Sequence, residues 1–308
     1  MNRTVKNIGA SIRQRLKDKG RSLGIPFDQM LQRYGIERFL LRLSKSEHRE
    51  KFILKGGQML LVWSEKQMRP TMDIDFMGIT ENSINNLKKI MVDLCSLNHP
   101  DEDGLLFNPD SVIPTVIKED AEYEGIRVTF EGVLDSAKIY MQIDTGFNDT
   151  ITPDPKTIHY PSILEQEKPE LRGYNMETLI AEKYEAMVKL GELNSRMKDF
   201  FDIWVLSSQF AFEQNLLATA LKATFERRNT ELGQLPAILC HDFEYMDQKQ
   251  KQWSVFLKKS KLVCAPNNFS EVTAKISRFI TPILDITSQT DRSSLVWNPP
   301  GPWSITYE

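Results

Sequence analysis

The fold is decided by Phe52-Ile53-Leu54-Lys55-Gly56-Gly57-Gln58-Met59-Leu60, followed by Arg69-Pro70-Thr71-Met72-Asp73-Ile74-Asp75-Phe76. The first three residues are apolar and predict a short buried strand, which the two glycines end. From Gln58 to Glu65 the apolar residues recur at the spacing of one helix face. The order therefore predicts a strand, a glycine turn, a helix and a second strand that carries the aspartates.

Two features of this stretch indicate a site for a nucleoside triphosphate. Lys55, Gly56 and Gly57 stand where a strand turns into a helix, and backbone N–H groups without side chains in the way favour a phosphate. Asp73 and Asp75 are two residues apart and so point to the same face of a strand. Neighbouring carboxylates repel each other, and Mg²⁺, with Mn²⁺ as the alternative, relieves this repulsion through oxygen ligands.

The amino-acid composition is typical of a globular protein. It has 308 residues, 41% hydrophobic and 26% charged, with a net charge of −3. No apolar run approaches the roughly 18–20 residues that a membrane span needs. The polar N-terminus argues against a secretory signal, and the scattered cysteines predict reduced thiols in a cytoplasmic protein.

Positive charge is concentrated near the N-terminus. Residues 1–51 hold 13 Lys and Arg against 5 Asp and Glu. Residues 5–20 predict a first helix that ends at Gly20 and carries Arg13, Arg15, Lys17 and Lys19. Such a pattern either steers a polyanion to this side or is a solvated helix face.

A third strand brings another carboxylate to the aspartate pair if it lies beside the strand that carries Asp73 and Asp75. Residues 96–114 read as a loop, and strands are expected at 126–130 and 139–144. The second of these ends on Asp144, with its side chain on the polar face. Prolines between residues 150 and 173 place a boundary, so we divide the chain into 1–160 and 161–308.

Two helices are expected after this boundary, at Met176–Leu190 and from Ser195 to about Phe210. Asp199 and Asp202 share one face of the second helix, and Arg196 and Lys183 can reach them. These charges either hold a helical hairpin together as an ion-pair network or place Lys183 on a triphosphate.

The motifs, taken in order, resemble the AbiEii/AbiGii toxin family of the nucleotidyltransferase superfamily. The opening motif is Gly56-Gly57 with Arg69-Pro70-Thr71-Met72-Asp73-Ile74-Asp75-Phe76, and the middle motif is Met141–Phe147 with Asp149. Glu177–Lys183 and Asn194–Asp202 follow in the family's order. The resemblance implies an α+β fold: a nucleotidyltransferase lobe, with a small mixed sheet flanked by helices, and a mostly helical C-terminal lobe.

The resemblance also implies roles for these residues. Asp73, Asp75 and Asp144 are the expected metal ligands, and Asp144 would help to deprotonate the acceptor. Lys183 would neutralise phosphate charge, positioned by Asp199 or Asp202. The remaining residues assigned to the nucleotide are Lys55, Gly56, Gly57, Arg69, Thr71, Arg196 and Asp202.

The expected function is that of a Mg²⁺-dependent nucleotidyltransferase toxin in a bacterial toxin–antitoxin or phage-defence pair. It would transfer NMP from an NTP to an acceptor, with the 3′ end of tRNA as the expected RNA acceptor and a separately encoded antitoxin as a partner. Transfer to a protein hydroxyl and a catalytically silent binding module of the same fold are the alternatives. A DxD phosphatase or glycosyltransferase fits less well, because the residues before Asp73 are not a strongly apolar strand.

Overall fold

The computed structural model describes residues 7–64, 69–97, 103–120, 123–233, 235–240, 246–287 and 295–305. The chain forms two compact units. Unit 1 comprises Met1–Glu65, Pro70–Asn148 and Lys156–Gly173, and unit 2 comprises Lys66–Arg69, Asp149–Pro155 and Tyr174–Glu308. The expected division after residue 160 runs through unit 1, between two strands that pair with each other.

Unit 1 is built on one mixed sheet. Within the described residues the sheet has seven strands in the order β3-β4-β5-β2-β1-β7-β6. The pairs β2–β5 and β1–β7 are parallel and the others antiparallel. The strands are β1 (Phe52–Lys55), β2 (Ile74–Gly78), β3 (Leu105–Asp120), β4 (Tyr123–Leu134), β5 (Ala137–Phe147), β6 (Lys156–His159) and β7 (Glu170–Gly173).

Helices α1 (Ile8–Leu23), α2 (Phe27–Ser44), α3 (Gln58–Trp63) and α4 (Ile84–Ser96) complete unit 1. Helix α2 contacts β5, where the absence of a side chain at Gly35 leaves room for Ile139 and Met141. The predicted end of α1 at Gly20 is wrong. Gly20 is buried within the helix beside Met30, and the helix ends at Gly24, whose φ of 67° suits glycine.

The strand–glycine–helix–strand prediction is confirmed. Strand β1 is buried throughout, and α3 begins directly after Gly57. Helix α3 is described as six residues long, and Glu65, its predicted last residue, lies outside the described residues. In β2 the side chains of Ile74 and Phe76 are buried while Asp75 is half-buried, as the alternation predicts.

The predicted loop at 96–114 is wrong over its described second half. Strand β3 begins at Leu105, and its pairing with β4 is interrupted between Asn108 and Ile113. The Ser111 hydroxyl accepts a hydrogen bond from the Glu131 amide and donates one to the Asn108 carbonyl, which stabilises the bulge. The Pro, Asp and Asn residues that suggested a loop therefore lie in an irregular strand.

A buried ion pair fixes α2 to the start of β3. The guanidinium of Arg42 donates to both carboxylate oxygens of Asp103, at 2.9 and 3.2 Å, and to the Leu105 carbonyl at 2.8 Å. Both side chains are about 4% exposed. Because removing one partner would leave a buried charge, this pair restricts how α2 can lie on the sheet.

Unit 2 is mostly helical. Its helices are α5 (Met176–Leu190), α6 (Met197–Gln209), α7 (Gln214–Arg227), α8 (Met246–Ser260) and α9 (Phe269–Thr287). Short strands β8 (Phe212–Glu213), β9 (Leu295–Trp297) and β10 (Trp303–Ile305) form a second sheet. Asn175 caps α5 by accepting a hydrogen bond from the Thr178 amide, as predicted.

The α+β class is confirmed: a mixed sheet with helices is followed by a largely helical unit. Among the described residues, no helix is long and apolar enough to cross a membrane.

Candidate active site

Four charged residues form a row across four neighbouring strands of unit 1. Lys55 pairs with Asp75, Asp75 with Asp144, and Asp144 with Arg127. Paired residues on adjacent strands point to the same face of a sheet, so these side chains lie side by side. We call Lys55, Asp75, Asp144 and Arg127 the charged row. The structure thus places Asp144 beside Asp75, whereas the strand pattern predicted only that the Asp144 side chain lies on the polar face.

Gly56 packs directly against this row. It has a φ of +68°, and a Cβ atom built on it would lie 2.0 Å from the Oδ2 of Asp75. A side chain here would both strain the backbone and collide with the carboxylate. The glycine turn and the DxD strand are therefore in contact, and Asp75 needs a glycine at this position.

Gln58, which the sequence marked only as the start of a helix, positions Asp73. Its amide nitrogen donates to the Asp73 carbonyl at 2.7 Å, and its amide oxygen accepts from the Tyr160 hydroxyl at 2.7 Å. Gln58 is 0% exposed, so losing either partner would leave a buried amide group unsatisfied. These bonds tie the first aspartate to α3 and to the chain after β6.

Arg127 is the main residue that sequence reasoning missed. Its guanidinium donates to both oxygens of Asp144, at 2.8 and 2.7 Å. The hydrogen bonds to Asp144 raise the pKa of Arg127, and the charges of Asp73 and Asp75 add to this, against a smaller lowering by burial. The alternation of strand 126–130, with Arg127 on its polar face, was the available signal.

The carboxylates have the donor chemistry that Mg²⁺ prefers, namely ionised oxygens on adjacent strands. Asp75 and Asp144 are brought together, and Asp73 lies two residues from Asp75. However, among the described residues no three His, Cys, Asp or Glu side chains are arranged to hold a metal ion. Two carboxylates with substrate phosphates are a common Mg²⁺ site, so the donor set fits such an ion.

Unit 2 contains a second cluster, which we call the Lys183 cluster. Lys183 Nζ lies 2.8 Å from Asp199 and 2.7 Å from Asp202. Arg69 donates to both oxygens of Asp202 at 2.7 Å. Arg196 Nε approaches Asp199 Oδ2 to 2.7 Å without the alignment of a hydrogen bond, so this contact is ionic. The cluster consists of Arg69, Lys183, Arg196, Asp199 and Asp202.

Burial makes this cluster sensitive to charge. Asp199 and Asp202 are 0% exposed. Burial alone would lower the pKa of Lys183, but the two carboxylates outweigh it and raise this pKa. Burial would raise the pKa of Asp202, but Arg69 and Lys183 outweigh it and lower this pKa. Lys183 and Asp202 therefore stay charged near neutral pH.

The predicted residues thus fall into two groups. Unit 1 holds Lys55, Gly56, Gly57, Thr71, Asp73, Asp75 and Asp144, and unit 2 holds Arg69, Lys183, Arg196, Asp199 and Asp202. The ion-pair interpretation of the helical hairpin describes the contacts seen in unit 2. Arg69, which the resemblance assigns to the nucleotide, forms a bidentate pair with Asp202.

A glycine turn that suits a phosphate lies against a carboxylate pair that suits a divalent cation. The model of one family, described as "Nucleotidyl transferase AbiEii toxin, Type IV TA system", matches residues 38–273. The match spans most of the chain and includes every motif described above. The chain belongs to the AbiEii family of nucleotidyl transferase toxins.

Two solved structures from Helicobacter pylori are similar over most of their length. JHP933 is 15% identical, with 82% of this chain and 91% of that chain covered and a TM-score of 0.47. A protein described as a nucleotidyltransferase is 14% identical, with 82% and 94% covered and a TM-score of 0.46. No curated protein matches the chain.

The first prediction concerns Arg127. Changing Arg127→Gln should lower the free energy of unfolding in EDTA by about 1–2 kcal/mol, because three nearby carboxylates lose a cation on a partly exposed face. In millimolar Mg²⁺ this deficit should shrink, since the ion supplies positive charge to the same carboxylates. Urea unfolding of wild type and variant, in EDTA and in Mg²⁺, measures this difference in the free energy of unfolding.

Lys138→Gln is the matched control, because Lys138 is an exposed cation on β5 that pairs only loosely with Glu131, at 3.5 Å. It should change stability equally in both buffers. A deficit for Arg127→Gln that is the same with EDTA and with Mg²⁺ would show that Arg127 does not share its carboxylates with a cation.

The second prediction concerns Lys183. Changing Lys183→Met should lower the free energy of unfolding by about 3 kcal/mol, because two fully buried carboxylates lose a shared cation. Lys198→Met, an exposed change in the same region of α6, should stay within about 0.5 kcal/mol.

The pH dependence of this difference follows from the two shifts. The lowered pKa of Asp202 makes its contribution present above the unfolded pKa of about 4 and lost as pH falls below it. The raised pKa of Lys183 keeps its contribution to beyond about pH 10. The difference between wild type and Lys183→Met should therefore be constant from about pH 5 to 9 and shrink in acid, and a difference that grows in acid contradicts the assignment.

Proposed function

We propose that this protein transfers NMP from an NTP to the 3′ end of an RNA, with tRNA as the expected acceptor, and so blocks translation until an antitoxin restrains it. The observation that carries the proposal is the charged row with Gly56 packed on Asp75. The glycine turn, which suits a phosphate, and the carboxylates, which suit a cation, are in contact there on one face of the sheet. Family membership supplies the coarser statement, an NTP-using toxin with an antitoxin partner.

The β1 end of the row is the side that suits the triphosphate. Lys55 and the side-chain-free Gly56 flank Asp75 there. Glycine lets phosphate oxygens approach the backbone N–H groups closely, and a lysine beside them offsets their charge. Because α3 is short, this assignment rests on the glycine contact and Lys55 rather than on a helix dipole.

Asp73, Asp75 and Asp144 would hold Mg²⁺ or Mn²⁺, which when bound would screen the phosphates and lower the pKa of the acceptor hydroxyl. In the transfer the acceptor oxygen bonds to the α-phosphorus, and the bond from that phosphorus to the α–β bridging oxygen breaks. Pyrophosphate leaves with that electron pair, and the hydroxyl proton passes to water. Asp144, at the β5 end of the pair, is the carboxylate that faces the acceptor.

The roles of the remaining predicted residues stay proposals. Lys183 is assigned to the triphosphate, and Asp199 and Asp202 hold it at 2.8 and 2.7 Å in its present position. Arg69 and Arg196 restrain the two carboxylates in turn. Thr71 lies half-buried two residues before Asp73 and is assigned to the nucleotide.

The third prediction tests the chemistry. Asp73→Asn, Asp75→Asn and Asp144→Asn should each reduce transfer of label from an α-³²P NTP to total RNA by at least about 100-fold. Asp144→Asn should also lower the free energy of unfolding, because it leaves Arg127 without its bidentate partner. All four NTPs should be assayed with Mg²⁺.

Asp110→Asn, which alters an exposed carboxylate on β3, should retain full activity. Full activity of any of the three variants would remove that aspartate from the mechanism. Label on a protein instead of RNA would support transfer to a protein hydroxyl, and no label on either would support the silent binding module.

The fourth prediction concerns the RNA. In the structure Arg13 pairs with Asp135 at 3.2 Å and Arg15 donates to the Leu164 carbonyl at 3.0 Å, so reversing them would disturb the fold as well. Lys19 and Arg21 are exposed on α1 and give a cleaner test. The double variant Lys19→Glu/Arg21→Glu should weaken RNA modification and reduce the slope of log affinity against log salt by about two.

Lys88→Glu/Lys89→Glu on α4 carries the same charge change at exposed positions and serves as the control. The affinity for NTP should be unchanged in both double variants. If RNA modification is equally strong in wild type and in Lys19→Glu/Arg21→Glu, the basic residues of α1 are only a solvated face.

A further inference from the structure

A cleft of about 710 Å³ opens in unit 1 beside the first aspartate. It lies over the first half of β5, which β2 does not cover because its pairing with β5 begins only at Ile143. The volume is within the range of small-molecule sites. We call it the Tyr140 cleft, and the lining residues that matter here are Met72, Asp73, Ile113, Thr129, Tyr140 and Gln142.

Three large apolar or aromatic side chains of the lining are exposed. Tyr140 is 67% exposed, Ile113 59% and Met72 42%. A contiguous apolar surface on a folded chain is informative in a way that a single exposed residue is not. Tyr140 shares its face with Asp144, four residues further along β5, so its ring lies roughly 13 Å from that carboxylate along the strand.

The cleft is held in shape by a buried amide. The side-chain nitrogen of Gln32, on α2, donates to the Met72 carbonyl at 3.0 Å and to the Tyr140 carbonyl at 2.9 Å. Gln32 is 8% exposed. Two walls of the cleft are thus fastened to one side chain, and a ligand would meet a preformed surface.

The charges of the lining residues restrict which ligands the Tyr140 cleft can bind. Its charged lining residues are Asp28, Asp73, Glu131 and Lys138, and Lys138 already lies 3.5 Å from Glu131. Three carboxylates, with only one cation that already lies close to Glu131, disfavour the binding of a phosphate. An uncharged ring with hydroxyl groups suits the aromatic, amide and hydroxyl groups of Tyr140, Gln142 and Thr129.

Two cationic side chains of α1 lie near the acidic lining of the Tyr140 cleft. Arg13 and Lys17 on α1 lie 6.0 and 5.5 Å from the ring of Phe27, and the next residue, Asp28, lines the cleft. A strand of nucleic acid could therefore place an uncharged terminal nucleoside inside and its preceding phosphates along α1.

The order of the charged row separates this cleft from the triphosphate side. Lys55 and Gly56 flank Asp75 on the β1 side, whereas the Tyr140 cleft lies along β5 and β4. An in-line displacement needs the attacking hydroxyl and the leaving pyrophosphate on opposite sides of the transferred phosphorus. The cleft is thus on the side from which the acceptor attacks.

We propose that the Tyr140 cleft binds the unpaired terminal nucleoside of the acceptor, with its base against the Tyr140 ring and its sugar hydroxyl directed to the carboxylates. This inference rests on the proposed function, because it identifies the acceptor side of the same site. It assigns acceptor selection to an uncharged, aromatic-lined surface rather than to a phosphate site.

The test is direct binding, which needs no turnover. The probe is a 5′-fluorescein RNA pentanucleotide with the unpaired sequence of a tRNA 3′ end, measured by anisotropy in Mg²⁺ without NTP. Tyr140→Ala should weaken binding about tenfold, since it removes one base–aromatic stack, and Tyr140→Phe should stay within about twofold. The same RNA with a 3′-phosphate should bind more weakly to the wild type.

Val116→Ala is the control, because Val116 is exposed on β3 but belongs to the other face of the sheet, paired with the buried Ile126. It should bind like the wild type. Equal affinity of Tyr140→Ala and wild type overturns the proposal, as does a wild type that binds neither RNA.

Kinetics then separate this inference from the proposed function. Tyr140→Ala should raise the KM for RNA about tenfold and leave the KM for NTP unchanged. A raised KM for NTP alone would assign the cleft to the incoming nucleotide and overturn the acceptor assignment while leaving the transferase function intact. Normal oligonucleotide binding by the cleft with no RNA labelling would contradict the proposed function instead.

Discussion

Asp75 and Asp144 are register partners on adjacent parallel strands, so their carboxylates repel each other. The rest of unit 1 accommodates this repulsion. Like charges directly opposite each other destabilise a sheet. Lys55 and Arg127 continue the row on either side, so each carboxylate has a cation on its outer flank. Gly56 leaves space beside Asp75, and Gln58 fixes the backbone at Asp73. The sheet therefore keeps two carboxylates together that would separate in an unconstrained chain.

Unit 2 handles charge in the opposite way. In the Lys183 cluster the carboxylates are fully buried and the cations surround them, with both oxygens of Asp202 bound by Arg69. Desolvating so many charges is costly unless every one is paired, so this arrangement resists loss of any member. Unit 1 thus leaves Asp75 half-buried beside the buried Asp144, whereas unit 2 encloses both of its carboxylates completely.

The sequence predicted what depends on local pattern. Residues 52–76 gave the strand, turn and aspartate strand, and the alternation in 139–144 put Asp144 on the polar face of its strand. Arg127 and Gln58 were missed because their importance comes from register: which residue of β4 faces Asp144, and which carbonyl a buried amide reaches. The strand at 105–114 was missed because its bulge places loop-forming residues inside a pairing that only the opposite strand reveals.

The two ends of the charged row differ in how readily their cations can move. Lys55 is 5% exposed, whereas the Arg127 side chain is 38% exposed. Displacing a buried cation leaves a desolvated charge behind, while a partly exposed guanidinium can exchange its partner for water or for another anion at little cost. The cation at the β4–β5 end of the row can therefore rearrange more easily than the one at the β1 end. A fixed cation beside the glycine turn and an exchangeable one beside Asp144 are consistent with the proposed site, in which the triphosphate would bind on the β1 side and acceptors would arrive and leave on the other side.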